Sequence, residues 1–187
     1  MLSRLSRHIL AGMRFEAVVR TPASWISVLD RFAVYLFEGH VTLAEMDDMQ
    51  VVGERWRIQH PEKRVEIVVI FPSEARMSQE ERARMARLIK VGEAQRAASA
   101  TVILAQGLMA SMQRSMLTGM LMIAPPTHPA KVFGSIPHAL AWLAPHVEAV
   151  CGSALKQGQL PNLLSAQIAE FLARNAGRTA AADPART

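Results

Sequence analysis

The chain is expected to fold as an α/β domain on a single mixed sheet of about five to six strands, antiparallel hairpins first and parallel βα units after them. Three observations carry this. Residues 65–71 (VEIVVIF) form an almost unbroken β-branched apolar run, the pattern of a strand covered on both faces. Residues 101–150 alternate strand-like and helix-like segments with almost no residues to spare, as a chain must when each parallel neighbour is reached through a crossover helix. Residues 14–37 hold three strand-like segments too close together for such crossovers, so they pair as hairpins.

Taken in order, residues 14–20 (RFEAVVR) and 25–29 read as two strands joined at Thr21-Pro22, and 32–37 (FAVYLF) as a third that Gly39 ends. Thr42-Leu-Ala-Glu45 is a capping box, in which the threonine oxygen takes a free amide of the first turn and the glutamate reaches back. The helix it starts runs to about Gln59, with Leu43, Met46, Met49, Val52 and Trp56 as one apolar stripe, and Pro61 stops it. After the strand at 65–71, Ser78-Gln-Glu-Glu81 repeats the box before a helix whose Met85, Leu88, Ile89 and Gly92 share a face. Arg82, Arg84, Arg87, Lys90 and Arg96 decorate that helix as a solvated face, partly neutralised by Glu80, Glu81 and Glu93. Then come a strand at 101–105, a helix over about 108–122, a Pro-Pro-Thr-His-Pro connector, a strand at 131–133 and a helix led by Ser135. In that helix Ile136, Leu140, Leu143, Val147 and Val150 make a continuous apolar seam. The expected organisation is a flexible extension at 1–12, the domain at 13–150, a linker at 151–161, an amphipathic helix at 162–174 carrying Leu164, Ile168, Phe171 and Leu172, and a disordered tail at 175–187. The four large apolar groups of the last helix require a surface to cover them.

Half of the 187 residues are hydrophobic, enough to fill one substantial core. Much of the formal charge of +5 sits in the two ends, on Arg4, Arg7, Arg178 and Arg186, which leaves a nearly balanced body. Nucleic acid is therefore not an expected partner. One cysteine, Cys151, excludes an internal disulfide, and residues 1–12 lack the apolar core of a secretory signal, so a cytoplasmic address is expected. No run reaches the roughly 18 apolar residues of a spanning helix, so no transmembrane segment is expected.

Reactive constellations are missing from the sequence. Cys151 follows His146 and Glu148 but shares no helix face with the former, and a small buried cysteine accounts for it. His138 and His146 find no cysteine or carboxylate to complete a metal set. There is neither a Walker-type loop nor a G-x-G-x-x-G turn. No catalytic residue, metal or cofactor is expected. The methionines Met109, Met112, Met116 and Met120 recur at helical spacing, and such adaptable side chains suit either a core helix or one lining an apolar groove.

Three hairpin strands, a helix, a central strand, a helix and two strand-helix steps resemble the SpoIIAA-like branch of the STAS superfamily, itself similar in architecture to the lipid-exchanging Sec14 domain. The closing segment carries most of the likeness: Lys131-Val132-Phe133-Gly134-Ser135 followed by Ala139, Trp142 and Leu143 looks like the final strand and serine-led helix of that branch. YLFEGHVT is similar to its third strand and first helix. STAS domains of the anti-sigma-antagonist type place a phosphorylatable serine after the central strand, within an Asp-Ser-Ser-Gly-like motif. This chain departs from that motif with Phe71-Pro72-Ser73-Glu74-Ala75-Arg76-Met77-Ser78; Ser73 and Ser78 are the residues open to phosphorylation, and capping alone accounts for Ser78.

The resemblance implies a non-catalytic regulatory or protein-interaction module, working through a protein partner or self-association as a homodimer. The alternative is a Sec14-like carrier or sensor of a small apolar ligand, and the third an enzyme whose site is unrecognised. Partner or ligand is expected at the carboxyl ends of the parallel strands. There Phe71, Gln106 and Phe133 meet the loop bearing Ser73, Arg76 and Ser78 and the helix bearing Met109, Met112 and Met116.

Overall fold

The computed structural model describes residues 14–73, 77–123, 125–152, 155 and 159–182. Three strands open the chain: β1 (Glu16–Arg20), β2 (Ser24–Leu29) and β3 (Phe32–Phe37). They pair as two antiparallel hairpins. The two-residue loop between β2 and β3 puts Asp30 at φ 53°, the left-handed region that such tight hairpins demand and that aspartate tolerates. Helix α1 (Leu43–Gln59) returns the chain to β4 (Arg64–Ile70), which lies parallel to β3 on one side and to β5 (Arg96–Ile103) on the other. Helix α2 (Gln79–Val91) connects β4 to β5, α3 (Gly107–Ile123) connects β5 to the parallel edge strand β6 (Ala130–Phe133), and α4 (Ile136–Cys151) and α5 (Leu160–Ala182) follow. The strand order is β1-β2-β3-β4-β5-β6. This is the mixed sheet the sequence predicts, with the 65–71 segment central and its ladders parallel on both sides.

Both capping boxes form. Thr42 Oγ1 accepts from Glu45 N at 3.3 Å while Thr42 N donates to Glu45 Oε2 at 2.9 Å; Ser78 and Glu81 repeat the exchange at 3.2 and 2.7 Å. Glu45 also accepts from Ala23 N at 3.1 Å, which ties the start of α1 to the first hairpin.

Alternation along the strands sorts side chains onto two faces. Phe32, Val34 and Leu36 of β3, Val65, Ile67 and Val69 of β4, and Ala98, Ala100 and Val102 of β5 form one buried layer. Ala139, Leu143 and Val147 of α4 pack on it, and so do Leu164 and Phe171 of α5. Phe171 meets Trp25 and Phe71 with ring centroids 6.3 and 5.6 Å apart, so the last helix is covered by its own domain. The opposite face carries Ala33, Tyr35, Phe37, Glu66, Val68, Ile70, Ser99 and Thr101 toward α1, α2 and α3.

Several expected boundaries move. Arg96 opens β5 rather than closing the preceding helix, because Gly92 ends α2 and a single 3-10 turn, Glu93–Gln95, starts the strand five residues earlier than expected. Val52 and Ile89 are exposed rather than part of buried stripes. Cys151 is the last residue of α4, and Gly152, at φ 67°, ends that helix in a conformation that glycine alone adopts without strain. The last helix starts at Leu160 and continues past Arg174 to Ala182, eight residues into the expected tail, since alanine is the strongest helix former. The expected extension at 1–12, linker residues 153–154 and 156–158, and tail residues 183–187 lie outside the described residues. Among the described residues no helix is long and apolar enough to cross a membrane.

Candidate functional site

A cavity of about 840 Å³ lies between the second face of the sheet and helices α1, α2 and α3. Its origin is local. Helix α2 is anchored at its rim, through Arg84 to Asp47 at 2.5 Å and through Glu81 to His40 at 2.8 Å, both polar links to α1 and its approach. Met85 and Leu88 are half-buried against a second buried cluster of Val19, Ala23, Ile26, Val41, Met46 and Met49 and also line the cavity, and Ile89, which lines it too, is 56% exposed. The far wall is α3, which presents Ala110, Gln113, Leu117 and Leu121. Each stands one residue after a member of the methionine series.

The floor is polar. Glu66, 2% exposed, accepts from Arg64 Nε at 2.8 Å and Tyr35 Oη at 3.1 Å on one oxygen and from Arg96 Nε at 2.5 Å on the other. These pairs span three adjacent strands. Arg64 Nη1 also donates to Gln95 Oε1 at 3.0 Å, its guanidinium lies 5.3 Å from the Trp56 ring centroid, and Arg96 Nη1 donates to the Ile89 carbonyl at 2.6 Å. Burial, followed by the neighbouring Glu66 charge, pushes the Tyr35 hydroxyl up to about 12, so it stays a donor. Burial alone would depress Arg64, but Tyr35 and Glu66 outweigh it and hold the guanidinium above its ordinary value.

Arg57, on the last turn of α1, adds a third guanidinium to a lining whose one carboxylate, among the described residues, is Glu66. Burial, then the Arg64 charge, pulls it below its ordinary value. Its Nη2 is buried without a hydrogen-bond partner among the described residues, and so is Nδ1 of His128, which also lines the cavity. His128 Nε2 meets Ser99 Oγ at 2.9 Å. Burial, then Arg96, lowers the His128 pKa and favours the neutral ring. With no carboxylate on Nδ1 to orient and charge it, this imidazole lacks the third member that activates a serine nucleophile.

Residues singled out from sequence are divided among several places. Phe71, Ser73 and Gln106 line the cavity. Ser78 caps α2, and Phe133 lies on the opposite side of the sheet, 5.7 Å from Trp142 of α4. Met112 is 57% exposed on the outside of α3. Arg76, and the side chains of Met109, Met116 and Met120, lie outside the described residues. Cys151 is buried, and burial, then Asp30, pushes its thiol up to about 11, away from nucleophilic use. Among the described residues no group of three or more His, Cys, Asp or Glu could hold a metal ion.

Sequence reasoning missed Tyr35, Arg57, Arg64, Glu66, Arg96, Ser99 and His128. One signal was available: Glu66 interrupts an otherwise apolar, doubly covered strand, and a carboxylate there needs buried partners.

No protein-family model matches the chain, and no curated protein matches it. Among solved structures the chain is similar, at 15% identity and a TM-score of 0.49, to an uncharacterized protein of the DUF3478 family with a SpoIIAA-like fold from Shewanella loihica PV-4. The similarity covers 71% of this chain and 94% of that one.

Proposed function

We propose that this domain is a non-catalytic binding module that takes a small apolar ligand between its sheet and helices α1 to α3. The observation that carries the reading is the cavity itself. Its volume of about 840 Å³ falls in the range of roughly 300–1,000 Å³ common to small-molecule sites, and Phe37, Val68, Ile70, Met85, Leu88 and Leu117 give it mainly apolar walls around a few convergent polar groups. Full-length protein, stripped of lipid, is expected to bind an uncharged apolar dye such as Nile red, and Leu117→Trp, which fills the space, is expected to abolish binding while leaving the circular dichroism unchanged. Binding that survives in that folded variant overturns the reading. Hydrolysis of p-nitrophenyl esters that is lost in Ser99→Ala overturns its non-catalytic part.

A second reading, association with a protein partner or a second copy, is favoured by the outer face of α3. Leu108, Met112 and Met122, 78%, 57% and 80% exposed, follow one another along it with the small residues Ser115 and Gly119 between them. Sedimentation of the wild type beside Met112→Glu tests this: self-association weakened by the substitution supports a homodimer, and a monomer at every concentration removes it.

A further inference from the structure

Resting on the ligand-binding reading above, we infer that the occupant is an amphiphile with an anionic head, a carboxylate or phosphate monoester on one aliphatic chain, and that Arg57 is the residue that selects the head. Three guanidiniums, those of Arg57, Arg64 and Arg96, line the cavity, where Glu66 is the one carboxylate among the described lining residues; Glu54, three positions before Arg57 on α1, adds a neighbouring negative charge. Two of the three are committed: Arg64 and Arg96 each hold Glu66 through Nε and a second acceptor through Nη1. Arg57 holds no such partner through Nη2, although that atom is withdrawn from water. Leaving a buried donor unmade is costly, and a charged donor more so, so the pocket is short of one anionic acceptor. His128 repeats the shortage on the same wall system. When its Nε2 accepts the Ser99 hydroxyl, its unpartnered Nδ1 bears the proton and is a second donor waiting for an oxygen. Met85, Leu88, Leu117 and Leu121 give the helical walls an apolar stretch that suits an alkyl tail, and Lys131 adds a fourth cation to the lining. Charge and shape therefore agree on a head at the polar floor and a tail along the helices.

Calorimetric titration of the full-length, delipidated protein with four probes of equal chain length, each below its micelle concentration, tests this. Dodecanoate or dodecyl phosphate is expected to bind roughly tenfold or more tightly than dodecanol, with dodecylammonium weakest, since a charge-assisted hydrogen bond in a low-dielectric site has about that effect on affinity. Whichever anion binds better identifies the head. Arg57→Gln is expected to bring the anion down to the affinity of the alcohol, and Arg57→Lys to keep part of the preference. Equal binding of alcohol and anions overturns the inference while the cavity reading stands; binding of none of the four overturns the cavity reading itself. An anion preference that persists in Arg57→Gln places the head elsewhere and overturns the role of Arg57. Should Arg57→Gln fail to fold, the wild type decides: dodecylammonium bound as tightly as dodecanoate contradicts recognition by charge.

Discussion

Arg96 and Glu66 lie thirty positions apart in the chain, yet Arg96 Nε stands 2.5 Å from Glu66 Oε2, a link across the parallel ladder of β4 and β5. Glu66 has a second guanidinium, that of Arg64, at 2.8 Å, so its removal strands two cations in a site that water scarcely reaches. Glu66→Ala is expected to cost about 3–5 kcal/mol, as loss of one partner of a buried charge pair does. Replacing Arg64 and Glu66 together by Met and Leu is expected to cost less than Glu66→Ala alone. Urea denaturation followed by tryptophan fluorescence checks both.

The aromatic contact between Phe171 and Phe71 closes the opposite face of the sheet. Phe171→Ala is expected to destabilise the domain by about 3–5 kcal/mol, through lost burial and the void left behind. The measurement is the unfolding midpoint, and a change under 1 kcal/mol would mean that α5 is not part of the core.

Glu45 sets an acid limit. Burial pushes its carboxyl up, but donors from Thr42, Ala23 and Thr21 outweigh that and hold the folded pKa below the ordinary 4.5. A carboxyl depressed on folding adds stability that is complete above its unfolded pKa and drains away as pH falls through the folded one. Thermal melts from pH 6 downward are therefore expected to show a loss of stability below about pH 4.5. Glu45→Gln is expected to be less stable at pH 6 and to show a shallower slope; an unchanged slope assigns the acid limit to other carboxyls.

Cys151 is expected to resist alkylation. Its thiol is buried and pushed up to about 11, so very little thiolate exists near neutrality. Iodoacetamide followed by mass spectrometry is expected to label the folded protein far more slowly than the urea-unfolded chain, and equal rates would show that the last turn of α4 opens freely.

Much of this architecture is legible in the residues. The run at 65–71 reads as a doubly covered strand because nothing in it but Glu66 tolerates water, and both capping boxes are local chemistry that tertiary context leaves alone. The first half of β5 is not legible. RAASA has no β-branched or aromatic residue and favours a helix on propensity; it is a strand because Ala98 and Ala100 are small enough for α4 to lie close on the sheet. The alanine-rich end of α5 fails for the opposite reason, its composition suiting a solvated chain and a helix alike. The site is harder still. Glu66 announces a buried charge, but Arg57 sits among polar residues at a helix end, and only the tertiary placement of α2 at the rim opens the space that Arg57 and His128 share.

The seal that Phe171 makes over Trp25 and Phe71 has a consequence for biosynthesis. The two rings it covers leave the ribosome long before the helix that shields them is made. Through that interval the nascent polypeptide presents a greasy, half-finished surface, the kind of stretch that holdase chaperones grip and that self-associates when they do not.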